Sequence, residues 1–147
     1  MATVNTWYGA ISSQLFERLQ QIRLVVCDVD GVFSDGCIYL GNDGEELKAF
    51  HTRDGFGVKA LLNAGIDVAV ITGRESRIVQ DRMQALGVKH IYQGQADKEA
   101  CFEQLVAQLG LTYDHVASIG DDVPDLAMLT RSAVGVCVND GHPYVQQ

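Results

Sequence analysis

Short runs of apolar residues recur along the chain and alternate with segments in which the apolar residues have helical spacing. The run at residues 22–27, IRLVVC, is short, rich in β-branched residues and barely alternating, which is typical of a strand buried on both faces. Comparable runs lie at residues 66–71, 88–92, 115–119 and 133–138. The segments between the strands predict helices near residues 58–65, 75–86, 98–109 and 124–130. This alternation predicts an α/β fold, with a parallel sheet and helices on both of its faces.

Two segments depart from the alternation. Residues 37–40 and 45–50 flank the sequence GNDG, a turn signal that favours a β-hairpin. Residues 1–21 precede the first strand, and we expect them to form an N-terminal extension that is packed by Trp7, Tyr8 and Phe16. This extension has neither a basic start nor a continuous apolar run, so we do not expect it to be a signal peptide.

Composition narrows the class of protein. A chain of 147 residues with 47% hydrophobic and 20% charged residues predicts one globular domain over residues 1–147. The net charge of −8 argues against nucleic acid or an anionic membrane as partner, and no apolar run approaches the length of a membrane span. Four scattered cysteines, of which Cys27 is expected to be a packed thiol, favour a reduced protein in the cytoplasm.

Reactive residue types concentrate where three predicted strands end. The turns are DVDG at 28–31, TGR at 72–74 and GDDVPD at 120–125. In open α/β sheets, ligands bind outside the carboxyl ends of the strands. The turns at the amino ends show no such concentration. The asymmetry predicts a site at the carboxyl end of the sheet.

Convergence of Asp28, Asp30, Asp121 and Asp122 at this end would require compensation. Two like charges about 4 Å apart repel by roughly 4 kcal/mol at an effective dielectric constant near 20. Either the carboxylates lie far apart or a hard cation sits among them. Oxygen ligands without cysteine or histidine favour Mg²⁺.

Donors for a phosphate group follow the second strand. Thr72, Gly73 and Arg74 offer a hydroxyl, an unobstructed amide and a guanidinium ahead of a helix, which is a suitable phosphate cradle. Lys98 follows Asp97, a candidate helix N-cap, and therefore lies at the positive end of a helix dipole. A lysine turned from there toward a phosphate and the acids would offset that unfavourable position.

Four motifs in this order resemble those of the haloacid dehalogenase superfamily of phosphohydrolases. The matching residues are DVDG at 28–31, Thr72, Lys98, and GDD at 120–122 with Asp125. Longer stretches, such as GEELKAFHTRDGFG and YQGQADK, are similar to a small, capless group of that superfamily. Members of that group hydrolyse the phosphate ester of an eight-carbon keto-deoxy sugar acid during lipopolysaccharide precursor synthesis, and they form homotetramers.

The resemblance implies a three-layer, doubly wound, Rossmann-like fold with a β-hairpin flap at residues 36–50 and no cap domain. It implies that Asp28 is the nucleophile, which forms an aspartyl-phosphate, and that Asp30 is the general acid and base. Mg²⁺ would be held by the carboxylates of Asp28 and Asp121 and by the main-chain carbonyl of Asp30. Asp122 would orient these ligands or Lys98, with Asp125 close behind. Thr72, Gly73 and Lys98 would bind the phosphoryl oxygens.

Further residues are implied as substrate contacts. They are Asp30, Gly31, His51, Thr52, Arg53, Asp54, Gly55, Lys59, Gly73, Arg74, Arg82 and Lys98. At the position of Lys59 the family would lead us to expect arginine. The family also has a C-terminal tail that reaches a neighbouring subunit, and we expect that tail to be missing from this chain, since the sequence ends at HPYVQQ.

Several alternatives stay open at this level. Arg82 could instead pair with Asp81 or Glu75, and Asp125 with Pro124 could simply open a short helix. The substrate could be the phosphate of a related nine-carbon sugar acid. A signalling receiver domain shares the acid pair, threonine and lysine, but lacks a second acid two residues after the phosphorylated aspartate. An interaction-only relative that has lost activity is disfavoured because every motif residue is present.

Overall fold

The computed structural model describes residues 2–146 and has a five-stranded parallel sheet as its centre. Its strands lie in the spatial order β7-β6-β3-β8-β9. Their bounds are β3 Leu24–Cys27, β6 Asp67–Ile71, β7 His90–Tyr92, β8 Val116–Gly120 and β9 Val134–Cys137. Counted along the chain, this is the order 3-2-1-4-5 of a doubly wound sheet, whose direction reverses between β3 and β8. The predicted α/β fold class is confirmed.

Four helices cover the two faces of the sheet, and two more lie near the ends of the chain. They are α1 Ser13–Gln20, α2 Thr52–Asn63, α3 Arg77–Leu86, α4 Lys98–Gln108, α5 Leu126–Arg131 and α6 Pro143–Gln146. Within β3, Val25 and Cys27 pack on the side of α2 and α3. The alternate residues Leu24 and Val26 pack against α4 and α5. The two hydrophobic clusters therefore fill the spaces of a three-layer fold.

The register of β3 with its two neighbours, β6 and β8, brings the carboxyl ends of the three strands to the same edge of the sheet. Leu24 lies opposite both Asp67 on β6 and Val116 on β8. Cys27, the last residue of β3, lies opposite Val70 and Ile119. The residues that follow β3, β6 and β8 therefore emerge side by side at one edge of the sheet.

The predicted helix near residues 58–65 begins earlier than the sequence indicated. Helix α2 starts at Thr52, and the Nδ1 atom of His51 caps it by accepting a hydrogen bond from the Arg53 amide at 3.0 Å. The first turns contain two glycines and few apolar residues, which hides the helical spacing. The helix expected from residue 75 starts instead at Arg77, because the Ser76 amide donates to the Gln93 side chain.

The predicted hairpin is present, with a short paired region. Strand β4, Tyr39–Leu40, pairs with β5, Glu46–Leu47, in antiparallel fashion. The glycine-containing turn between them closes with the Gly41 amide donating to the carbonyl of Glu45 at 2.8 Å. We call residues 36–50 the flap.

The N-terminal segment differs from expectation. Strands β1, Thr3–Thr6, and β2, Gly9–Ser12, form a separate antiparallel hairpin that leads into α1. Trp7 and Tyr8 occupy its tip and are fully exposed, so the prediction that they pack was wrong for these two residues. Hairpin tips have few neighbours, and the apolar character of these side chains gave no indication of that position. Within residues 2–146, no helix has the length and apolarity needed to cross a membrane.

Candidate active site at the carboxyl end of the sheet

Asp28 is the first residue beyond β3 and is nearly buried, with 6% of its surface exposed. Its amide donates to the carbonyl of Ile119 at 3.0 Å, which fixes it against the end of β8. The chain then turns sharply, since the amides of Val32 and Phe33 both donate to the carbonyl of Val29. The carboxylate of Asp28 is thus held at the point where the sheet order reverses.

Gly31 allows two loops to meet at this turn. Its φ of +86° lies in the left-handed region that favours glycine. A Cβ atom at this position would lie 1.8 Å from Oδ2 of Asp121, so any side chain here would force that carboxylate to move. A residue without a side chain is therefore required for Asp121 to approach the turn that follows Asp28.

Lys98 links two of the acids. Helix α4 begins at this lysine, after Asp97 caps it by accepting from the Ala100 amide at 3.0 Å. The Nζ atom of Lys98 lies 2.7 Å from Oδ1 of Asp125 and 3.3 Å from Oδ1 of Asp28. The side chain of Lys98 therefore points toward the acid cluster, as predicted.

Asp125, not Asp122, orients Lys98. Asp125 is completely buried, and its Oδ2 atom accepts from the amides of Asp121 and Asp122 at 3.2 and 3.4 Å. Asp122 is exposed and caps the short 3₁₀ turn Val123–Asp125, because its side chain accepts from the Val123 amide. Lys98 is thus paired with Asp125, and Asp122 and Asp125 together cap the short turn, since the side chain of Asp125 accepts from the Asp122 amide. That Asp122 orients the cation ligands stays a prediction.

Three carboxylates converge closely enough to share a cation. One oxygen each from Asp28, Asp121 and Asp125 lie within 4.8 Å of one another. These are hard oxygen donors, the type that Mg²⁺ prefers, and they carry more negative charge than Lys98 can neutralise. The site fits a divalent cation, with Asp125 as an additional candidate ligand beside those predicted. The main-chain oxygen of Asp30 stays a predicted ligand.

The electrostatics of these residues reflect burial and mutual repulsion. Burial, followed by the negative charge of Asp125, raises the pKa of Asp28 to about 7, although Lys98 acts in the opposite direction. Burial also raises the pKa of Asp121. For Lys98, burial lowers the pKa, but its contacts with Asp28 and Asp125 outweigh this and leave it above the ordinary value. Repulsion of this kind is what a bound cation relieves.

Cys27 takes no part in this chemistry. Burial, followed by the charge of Asp28, raises the pKa of its thiol to about 12. The thiolate is the nucleophilic form, so Cys27 is inert at neutral pH. The expectation of a packed thiol agrees with its 3% exposure.

Thr72 and Gly73 complete this end of the sheet. Thr72 is 3% exposed, with its amide donating to Tyr92 at 3.0 Å and its carbonyl accepting from Gln95 at 3.1 Å. Together with the acids they surround an open cavity of about 760 Å³. Its lining includes Asp28, Asp30, Thr72, Gly73, Arg74, Lys98, Asp121, Asp122 and Asp125.

Lys48 is a residue of this region that the sequence patterns did not indicate. Its Nζ atom lies 2.7 Å from Oδ1 of Asp30 and 3.8 Å from Oε1 of Glu46. Arg74, predicted as a substrate contact, lies 3.3 Å from the same oxygen of Glu46. The only sequence signal was the position of a lysine at the end of a hairpin strand, which is common on protein surfaces.

The remaining predicted substrate contacts lie apart from the acid cluster. His51 and Asp54 line a separate cavity of about 330 Å³ beneath the flap. Arg82 lies over the ring of Phe50 at 5.9 Å and beside Gly55, where a Cβ atom would be 2.6 Å from its Nη2. Asp81, a candidate partner of Arg82, pairs instead with Arg77. At the start of α2, Thr52, Arg53 and Lys59 are exposed.

Comparison with known proteins identifies the family. A profile of haloacid dehalogenase-like hydrolases matches residues 87–147. The chain is 47% identical to 3-deoxy-D-manno-octulosonate 8-phosphate phosphatase of Yersinia pestis over 144 residues, which cover 98% of this chain and 77% of that protein.

Solved structures agree with this similarity. The crystal structure of the Yersinia pestis phosphatase superposes with a TM-score of 0.96 at 46% identity, covering 99% of this chain and 78% of that one. The phosphatase of Moraxella catarrhalis, in complex with magnesium ion, phosphate ion and KDO, gives a TM-score of 0.88 at 41% identity, covering 90% and 76%. The strand order and the family both exclude the receiver alternative, since receivers have the order 2-1-3-4-5. The chain therefore belongs to the haloacid dehalogenase superfamily and, within it, to the family of the 3-deoxy-D-manno-octulosonate 8-phosphate phosphatases.

Proposed function

We propose that this protein is a Mg²⁺-dependent phosphomonoesterase that hydrolyses 3-deoxy-D-manno-octulosonate 8-phosphate to the sugar acid and phosphate, in the synthesis of lipopolysaccharide precursors. The observation that carries the proposal is the convergence of the Asp28, Asp121 and Asp125 carboxylates beside Lys98 at the carboxyl end of the sheet. The family membership selects the substrate among phosphate esters.

Asp28 and Asp121 would hold Mg²⁺ through their carboxylates, with the Asp30 main-chain carbonyl as a further ligand and Asp125 within reach. Bound there, Mg²⁺ supplies positive charge that offsets the clustered acids and the phosphoryl oxygens. The pKa of Asp28 near 7 describes the protein without a cation, and positive charge beside it favours the ionised form needed for attack.

In the first step, a carboxylate oxygen of Asp28 attacks phosphorus in line with the sugar oxygen. The new bond joins the Asp28 oxygen to phosphorus, and the bond between phosphorus and the sugar oxygen breaks. Asp30 gives its proton to that leaving oxygen. The product is an aspartyl-phosphate on Asp28, and one difficult hydrolysis becomes two easier steps.

In the second step, water attacks phosphorus of the aspartyl-phosphate. Asp30, now ionised, takes a proton from that water, and the bond between phosphorus and the Asp28 oxygen breaks. Phosphate leaves and the Asp28 carboxylate is restored. Asp30 is suited to both tasks because its side chain lines the cavity and is 21% exposed, whereas Asp28 is nearly buried.

Charge on the transferring phosphoryl group is stabilised by fixed donors. Lys98 is held in place by Asp125, and Thr72 and Gly73 lie in the same cavity. Donors that are already oriented stabilise the transition state without reorganising during the reaction. Asp125 therefore supports catalysis by positioning Lys98.

The sugar contacts His51, Thr52, Arg53, Asp54, Gly55, Lys59 and Arg82 remain part of the proposal. They lie around the flap and the start of α2, where the exposed apolar side chains are Tyr39, Leu40, Leu47 and Phe56. Such a surface fits contact with another subunit. We therefore include in the proposal a homotetramer in the cytoplasm, in which neighbouring subunits complete the sugar pocket.

A panel of sugar phosphates tests the function. We expect the highest kcat/KM for the eight-carbon keto-deoxy sugar acid phosphate, above the nine-carbon analogue and neutral hexose phosphates, because the proposed sugar contacts include the cations Arg53, Lys59, Arg74 and Arg82. EDTA should abolish turnover and added Mg²⁺ should restore it. A higher kcat/KM for the nine-carbon compound would show that it is the substrate instead. Full activity in EDTA would show that the reaction needs no divalent cation. Light scattering in solution tests the tetramer independently.

A further inference from the structure

The flap contributes a buried cation to the acid turn. Lys48 follows strand β5, and its side chain is completely shielded from solvent. Its Nζ atom lies 2.7 Å from Oδ1 of Asp30, a residue 18 positions earlier in the chain. An ordinary surface lysine keeps its ammonium group in water, so this contact differs from the exposed ion pairs elsewhere in the protein.

The burial of Lys48 depends on its partners. An ammonium group removed from water is tolerated only when it is paired and hydrogen-bonded. Lys48 has Asp30 at 2.7 Å and Glu46 at 3.8 Å, and Glu46 in turn contacts Arg74 at 3.3 Å. Alternating charges therefore connect the TGR turn, the flap and the acid turn. The geometry ties the position of the Asp30 carboxylate to the docked position of the flap.

We propose that Lys48 is a positioning residue for the reaction, which holds the Asp30 carboxylate in the orientation needed to protonate the leaving sugar oxygen. This inference rests on the proposed function, because it assigns Lys48 to the acid that function requires. With Oδ1 engaged by Lys48, Oδ2 of Asp30 is the oxygen that carries the transferred proton. The flap thus acts on the chemistry of the site as well as on access to it.

Leaving-group dependence distinguishes this role from a structural one. A sugar alkoxide needs a proton as it departs, whereas p-nitrophenolate departs without one. In single-turnover rapid-quench experiments with excess enzyme, we expect Lys48→Met to slow the first step on the sugar phosphate about 10- to 100-fold, the usual cost of losing a partner that orients a site group. With p-nitrophenyl phosphate the same step should slow less than about 3-fold, because the nucleophile and phosphate contacts are unchanged.

Matched variants complete the experiment. Lys48→Arg keeps a cationic donor and should recover most of the rate on the sugar phosphate. Lys89→Met removes an exposed lysine far from the flap and should leave both rates unchanged. Asp30→Asn should likewise slow the reaction of the sugar phosphate far more than that of p-nitrophenyl phosphate. The double variant with Lys48→Met should be little slower than Asp30→Asn alone, because both substitutions impair the same proton transfer.

Equal loss on both substrates, no loss on either, or additive losses in the double variant would each overturn the role of Lys48. Circular dichroism and thermal unfolding establish that each variant is folded. If Lys48→Met does not fold, Lys48→Gln takes its place under the same criteria, since it keeps much of the packing without the charge. Failure of the proposed function would look different, because the wild-type protein would then fail to hydrolyse the sugar phosphate.

Discussion

The two ends of the central sheet have cavities of similar size and very different chemistry. At the amino end, a cavity of about 560 Å³ is lined by the residues around Ile22, Ile66 and His115. The backbone there is joined by neutral hydrogen bonds, such as the Arg23 amide to the His115 carbonyl at 2.8 Å. Within residues 2–146, the one group of three acids that could share a metal lies at the carboxyl end. A cavity alone therefore does not mark the site, and convergent charge does.

The difference has an energetic consequence. Buried like charges oppose folding, and at the carboxyl end Asp28, Asp121 and Asp125 lie together beside Lys98, while the nearby Lys48 is paired with Asp30. The amino end has no such conflict among the described residues. The protein keeps its unfavourable interactions where catalysis needs them, as is common for active sites. The two ends should therefore respond very differently to substitution, to pH and to added cation.

The largest effect is expected for Asp28→Asn. Removing the nucleophile should lower kcat on the sugar phosphate by at least about 10⁴-fold, because no other group can form the phosphoenzyme. The fold should survive, and the metal-free protein should unfold at a higher temperature than the wild type at about pH 8, since a repulsive charge is lost. Steady-state kinetics and calorimetry measure both. Near-wild-type turnover would show that another residue is the nucleophile.

Lys98→Met should produce the next effect. Without its cation, the pair Asp28 and Asp125 repels unchecked, and the free energy of unfolding of the metal-free protein should fall by about 3 kcal/mol. Chemical denaturation at neutral pH measures the change. The control at the other end is Arg23→Gln, an exposed residue whose replacement should cost less than about 0.5 kcal/mol. Similar losses at both ends would mean that the carboxyl end is not under electrostatic strain.

The smallest effect concerns pH and follows from the raised pKa of Asp28. Its folded-state pKa of about 7 lies above the ordinary value of 3.8, so its protonation stabilises the fold fully below about pH 4 and this stabilisation is lost as pH rises through 7. Mg²⁺ must displace that proton. At about pH 5.5 its apparent affinity should be roughly 30-fold weaker than at about pH 8, a difference near 2 kcal/mol.

Thermal unfolding with and without Mg²⁺ at the two pH values measures this difference. We expect a larger rise in Tm at the higher pH. In Asp28→Asn, where no proton competes at that position, the pH dependence should be much reduced. An equal rise in wild-type Tm at both pH values would contradict the assignment of Asp28 as a cation ligand.

The sequence predicted the parts of this molecule that depend on local patterns. Apolar runs located all five strands of the sheet, and the polar turns after them located Asp28, Thr72 and Asp121. It could not distinguish Asp122 from Asp125, because both are acids in one short turn. The choice depends on the 3₁₀ geometry, which turns Asp125 inward and leaves Asp122 as a cap.

The sequence could not predict contacts between distant segments, and the reason is physical. Lys48 meets Asp30 only because the flap docks against the acid turn, and no spacing within either segment encodes that docking. The same holds for Trp7 and Tyr8, whose exposure follows from how the N-terminal hairpin projects from the protein. Their apolar character alone indicated the opposite.

The close approach at Gly31 limits how this enzyme can vary. A methyl group there would overlap the carboxylate of Asp121, so even alanine would push apart the loop that carries the nucleophile and the loop that carries its neighbouring acid. The spacing between them is therefore set by the contact between the main chain of Gly31 and the short side chain of Asp121. Substrate preference can diversify through the flap and α2, while the dimensions of the phosphate-cleaving centre stay constant.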